Sequence, residues 1–91
     1  MKVSNLLSSN GNKVANQFVI ENDNEIFFQS YKSIIANVKN GKIFLDPVYY
    51  KYSKTTSKYL NRFLNMNSKE VQEGLKNGLI QFKNLNTFQQ C

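Results

Sequence analysis

Between Val3 and Leu45 the apolar residues come in short segments broken by Asn-rich and Gly-containing turns; beyond Pro47 they recur at helical spacing. Val3 to Leu7 ends in SSNGN, where Asn10-Gly11 suits a tight turn, so a first strand is predicted there. Asn16 to Glu21 (NQFVIE) and EIFFQSY are two β-favouring segments around Asn22 to Asn24, which predicts a hairpin. SIIANV (33–38) and KIFL (42–45), joined at Asn40-Gly41, add two more strands. Pro47 lacks the amide a ladder needs and pushes Asp46 toward an extended conformation, so the sheet ends there.

The second half predicts helices. From Thr55 to Met66, Thr56, Tyr59, Leu60, Phe63 and Leu64 fall on one helical face, and Ser53 or Thr55 can cap the first turn. Asn67 with Glu70 three positions on forms a capping-box pattern, Val71 and Leu75 lie one turn apart, and Asn77-Gly78 supplies a left-handed stop, giving a second helix over about 68–76. LIQF (79–82) reads as a last edge strand. The expected fold is a single α+β domain over residues 1–91: an antiparallel β-meander of four to five strands packed on two C-terminal helices, with 83–91 a loosely ordered tail. Alternation sends Phe27 and Phe28 to opposite sheet faces. One ring on the side away from the helices could stack a base or dock a partner, although burial of both is the plainer expectation.

Composition narrows the function. Twelve Lys and Arg against six Asp and Glu give a net charge of +6, which attracts nucleic acid, acidic protein surfaces and anionic membranes alike. Glu21, Asp23 and Glu25 gather in one segment and predict an acidic tip. With no histidine and Cys91 as the one cysteine, the usual zinc sites, histidine-assisted nucleophiles and an internal disulfide are excluded. The four glycines form no phosphate loop and the carboxylates of residues 21–25 surround a hairpin tip, so neither catalysis, a metal nor another cofactor is expected. The N-terminal segment is too polar for a leader and no run approaches the ~20 apolar residues of a membrane span, so a soluble protein of the cytoplasm is expected.

YYKYSKTTSKYLNR, residues 49–62, holds four tyrosines and four basic residues without an acid. On a helix Lys54, Lys58 and Arg62 form a basic stripe; Lys51 precedes it, and Tyr49, Tyr50 and Tyr52 lie in the approach. Lysine and arginine donors suit phosphates or an acidic protein surface, and tyrosine planes suit bases or anchoring. The alternative is a solvated face beside packed tyrosines. As exposed charges, all three cations of the stripe should be removable with little loss of stability.

The elements NGN (10–12), NQF (16–18), FQSY (28–31), IIA (34–36) and YSKTTSKY (52–59) together resemble a family of short uncharacterised proteins of phages and mobile elements, over about residues 4–64. That resemblance transfers no catalytic residue. It implies a non-structural phage protein that acts on host machinery, with anti-CRISPR inhibitors as the suspected class. Many such inhibitors are acidic mimics of nucleic acid, and +6 departs from that pattern. The expected partners are therefore a host CRISPR effector nuclease or its guide RNA, gripped through Lys51, Lys54, Lys58, Arg62, Tyr49 and Tyr50, with no membrane and no small-molecule substrate. A free-standing RNA or single-stranded nucleic-acid binder, and a dimeric module pairing through the edge strand 79–82, are the alternatives.

Overall fold

The computed structural model describes residues 2–8, 10–51 and 53–86. Five strands, β1 (Lys2–Leu7), β2 (Lys13–Asn22), β3 (Glu25–Ser30), β4 (Ser33–Lys39) and β5 (Lys42–Leu45), form an antiparallel meander. Helices α1 (Lys54–Leu64) and α2 (Ser68–Asn77) follow, and β6 (Ile80–Phe82) returns to pair with β5 in parallel. The fold is the expected α+β arrangement, with β6 as the sixth strand of one continuous sheet.

The turns arise where the sequence places left-handed residues. Gly11 and Gly41 sit at φ +81° and +77°, so the Asn-Gly pairs do as their chemistry suggests. The β3–β4 turn is less obvious: Tyr31 holds φ +56°, a region bulky side chains rarely enter. The cap of α1 is Ser53, whose Oγ accepts from the Thr56 amide at 3.1 Å. Asn67 and Glu70 exchange both bonds of the capping box, and Gly78 ends α2 at φ +88°.

Both helices lie on one sheet face. Across that face runs the paired row Val19, Phe28, Ala36, Leu45, and Phe28 stacks on Phe63 of α1 with ring centroids 5.4 Å apart. Leu60, Val71 and Ile80 complete the buried cluster. Burying Phe28 wholly contributes about 3 kcal/mol before entropy is counted. Gly74 lets α2 lie directly on Ile80, whose Cδ1 would stand 2.7 Å from an added Cβ. A bulge in β4 places Ile35 between the pairs Phe28–Ala36 and Gln29–Ile34, so that Ile35 and Ala36 are both buried despite strand alternation.

Asp46 is the polar counterpart of this core, at 1% exposure. Its Oδ1 accepts from the Val48 and Tyr49 amides at 2.9 and 3.1 Å, and its Oδ2 from the Leu85 amide and Asn86 Nδ2 at 3.0 and 2.9 Å. Burial pushes this carboxyl upward, but the donors from Leu85, Asn86, Val48 and Tyr49 outweigh it and leave the pKa below the usual value. The Asn86 side chain also accepts from the Ile34 amide and donates to the Ile34 carbonyl, both at 3.0 Å. Residues 83–86, assigned by sequence to a loose tail, are thus tied to β4 and to the β5–α1 junction, and the Lys83 amide bonds the Leu45 carbonyl. The rest of that tail, 87–91, lies outside the described residues, as does Tyr52.

Candidate nucleic-acid interface

The periodicity of α1 brings Lys54, Lys58 and Arg62 to its solvent side, all exposed, with Lys51 just before the helix. Their occupations differ. Arg62 directs Nε to the Leu7 carbonyl and Nη2 to the Ser8 carbonyl, the latter at 2.6 Å, so its guanidinium clamps the β1–β2 loop. That corrects the expectation that all three cations can be removed at little cost. The ammonium groups of Lys58 and Lys51 lie over the rings of Tyr59 and Tyr50, at 5.2 and 5.3 Å from the centroids.

The tyrosines expected to flank the stripe are packed. Tyr49 and Tyr50 are half-buried against the core, and the Tyr50 ring meets Phe82 at 5.2 Å. Lys54 and Lys58 thus share the solvent side of α1, with Lys51 set before the helix over Tyr50, and Tyr49 and Tyr50 stand as supports of the fold rather than open stacking planes. An approaching strand would meet charge on α1 and little else.

Rings are presented on the other side of the sheet, which neither helix contacts. Strand pairing places Val3, Ile20, Phe27, Asn37, Phe44 and Gln81 in one row across all six strands on that face. Phe18 and Ile34 occupy the neighbouring row through their pairing with Gln29. Phe18, Phe27 and Phe44 are each partly exposed, whereas Phe28 on the helix side is fully buried. Phe27 and Phe44 stand two strands apart, ~10 Å by the ordinary strand spacing. Between them Asn37 is held by bonds from its Nδ2 to Glu25 Oε1 and the Ile26 carbonyl, at 3.1 and 3.3 Å.

Cations border this row. Lys83 places its Nζ 5.3 Å from the Phe44 centroid, and Lys39 and Lys42 sit in the next row beside Glu25. That pairing also revises the predicted acidic tip, because the end of the sheet carries both signs. A sheet with one solvated face ordinarily shows polar residues there; here the exposed side offers Phe18, Ile20, Phe27, Ile34 and Phe44. Alternation set Phe27 and Phe28 on opposite faces without saying which ring is exposed, and the expectation that both are buried is corrected for Phe27, because no helix covers its side of the sheet; Phe18 and Phe44 gave no separate signal.

Among the described residues no group of three His, Cys, Asp or Glu side chains could hold a metal ion, and no helix is long and apolar enough to cross a membrane. No curated protein and no solved structure matches the chain. A family model does match residues 1–78, a span that contains all five strands of the meander and both helices, and the chain thereby belongs to the family of unknown function DUF8033.

Proposed function

We propose that this protein is a non-enzymatic module that binds single-stranded RNA on the sheet face that neither helix covers. The observation that carries the reading is the set of partly exposed rings Phe18, Phe27 and Phe44 on a face bordered by Lys39, Lys42 and Lys83. Splayed bases stack on aromatic planes of this kind, while lysines take the phosphates. The cations Lys54 and Lys58 on α1, with Lys51 just before it, add long-range attraction without reading bases. In the phage setting implied by the sequence resemblance, the strand is the guide RNA of a host RNA-guided nuclease, and holding it would inhibit that nuclease.

The test is fluorescence anisotropy with a labelled single-stranded oligonucleotide, comparing the wild type with F27L/F44L and with K54A/K58A. Leucine keeps apolar bulk on the sheet but removes the planar ring. The double ring variant should weaken binding at least tenfold, since stacking contributes about 1–3 kcal/mol per base. The lysine variant should mainly flatten the salt dependence. Unaltered affinity in F27L/F44L, or no affinity for any single strand at low salt, overturns the proposal. Association with a CRISPR effector only when its guide is loaded would support the inhibitor setting; association with the empty enzyme would show that protein, not RNA, is contacted.

A further inference from the structure

Asn37 stands between Phe27 and Phe44 on the sheet face that neither helix covers, at 3% exposure. Glu25 lies in the neighbouring row of the same face, opposite Lys39, with Lys42 one strand further on. Resting on the RNA-binding reading of this face, we propose that Asn37 Oδ1 and the Glu25 carboxylate select guanine among the bases that stack there.

The orientation of the Asn37 amide comes first. Its Nδ2 donates to Glu25 Oε1 at 3.1 Å and to the Ile26 carbonyl at 3.3 Å, which occupies both hydrogens. Turning the amide over would set Oδ1 against a carboxylate and a carbonyl, so the side chain keeps one orientation. Both acceptors belong to β3, and the planar amide therefore turns Oδ1 away from that strand. Oδ1 accepts no bond among the described residues, and it is not sealed in, since among those residues Gln17 Oε1 is the fully buried side-chain atom that lacks a partner. An almost wholly buried side chain thus holds one unused acceptor beside two partly exposed rings, and a base lying on those rings can supply the donor.

Glu25 makes the requirement stricter. A carboxylate offers acceptors only, and with both Nδ2 hydrogens spent the amide does the same, so the pair shows a base no donor at all. Of the four RNA bases, guanine carries two adjacent donors on its Watson–Crick edge, N1–H and the N2 amine. Adenine and cytosine set one amino donor beside a ring-nitrogen acceptor, and uracil flanks its N3–H with two carbonyls. Each of these three therefore brings an acceptor against an acceptor, which leaves polar groups unpaired where water is displaced. Lys39 and Lys42, in the row of Glu25, take the flanking phosphates and offset the repulsion between that carboxylate and the strand.

The test is fluorescence anisotropy of the full chain with a labelled heptauridine and with the same strand carrying G, A, C or inosine at its centre. The G strand should bind at least about fivefold more tightly than the U, A and C strands, the scale of one bidentate base contact. Inosine keeps N1–H and lacks the N2 amine, so it should lose most of that gain. Glu25→Gln puts a donor where guanine needs an acceptor and should bring the ratio of G to U affinity within about twofold, and Asn37→Ala should do likewise. Should Asn37→Ala fail to fold, Glu25→Gln, at a half-buried position, still decides. Equal affinity for all the strands, or a G preference that survives in Glu25→Gln, overturns the selection of guanine. Equal binding that F27L/F44L weakens removes the guanine contact and leaves the RNA-binding reading standing, whereas no binding of any strand removes both.

Discussion

Replacing Asp46 by Asn changes one oxygen of a buried carboxylate to an NH2 group and leaves its surroundings otherwise intact. The four donors Val48 N, Tyr49 N, Leu85 N and Asn86 Nδ2 converge on the carboxylate at 2.9–3.1 Å. An amide can satisfy one pair and must turn its own hydrogens toward the other. Two charge-assisted bonds are lost, each worth about 1.5–3 kcal/mol, so the variant should lose ~3–6 kcal/mol. A domain of this size has about 5–14 kcal/mol in total, so much of the stability is at stake. The melting temperature should fall by about 12 °C or more.

Acid adds a second, independent signature. The folded Asp46 titrates below its unfolded value of about 3.9. Its contribution is therefore present above about pH 4 and is lost as pH falls through the folded pKa, where native and unfolded chains both come to hold the proton. Urea titrations followed by circular dichroism at pH 7 and at about pH 3 should show the wild type weakening on acidification more than D46N. A D46N variant within about 1 kcal/mol of wild type at pH 7, or an unchanged acid sensitivity, would refute the assignment of Asp46 as a stabilising centre.

Two further substitutions test other joints of the molecule by thermal unfolding. Arg62→Ala should lower stability by about 1–2 kcal/mol through the freed Leu7 and Ser8 carbonyls, while Lys54→Ala on the same helix should stay within ~0.5 kcal/mol; equal effects would show that the clamp contributes nothing. Gly74→Ala sets a helix-preference gain of ~1 kcal/mol against overpacking of Ile80 by about 1–3 kcal/mol, so a net loss is expected, and a raised melting temperature would mean that Ile80 yields without cost.

Much of the chain's architecture is local and was therefore legible. The Asn-Gly pairs at 10–11 and 40–41, the serine cap at 53 and the Asn67–Glu70 box are read within four residues, and each forms as its neighbours dictate. Alternation correctly separated Phe27 from Phe28. What escaped is set by partners far along the chain. Nothing near Asp46-Pro47 indicates that the carboxylate gathers donors from residues 85 and 86, and nothing near Asn86 indicates that it bonds both backbone groups of Ile34, 52 positions earlier. Arg62 looked like a member of a cationic stripe because spacing reveals a face but not the carbonyls that the face meets. Tyr49 and Tyr50 looked like open planes because a tyrosine before a helix packs or stacks according to what the sheet places beneath it.

The late arrival of Asn86 also orders events during synthesis. Each strand of the meander pairs with its immediate predecessor, so the first five can zip up hairpin by hairpin as they emerge from the ribosome. Until residues 80–86 follow, β5 is an open edge and Asp46 has only the donors of its own turn. At ~5–20 residues per second, the forty residues between Asp46 and Asn86 keep that edge available for seconds. Arrival of the C-terminal segment is thus the step at which β5 passes from edge to interior of the sheet and the short β6 takes its place at the rim.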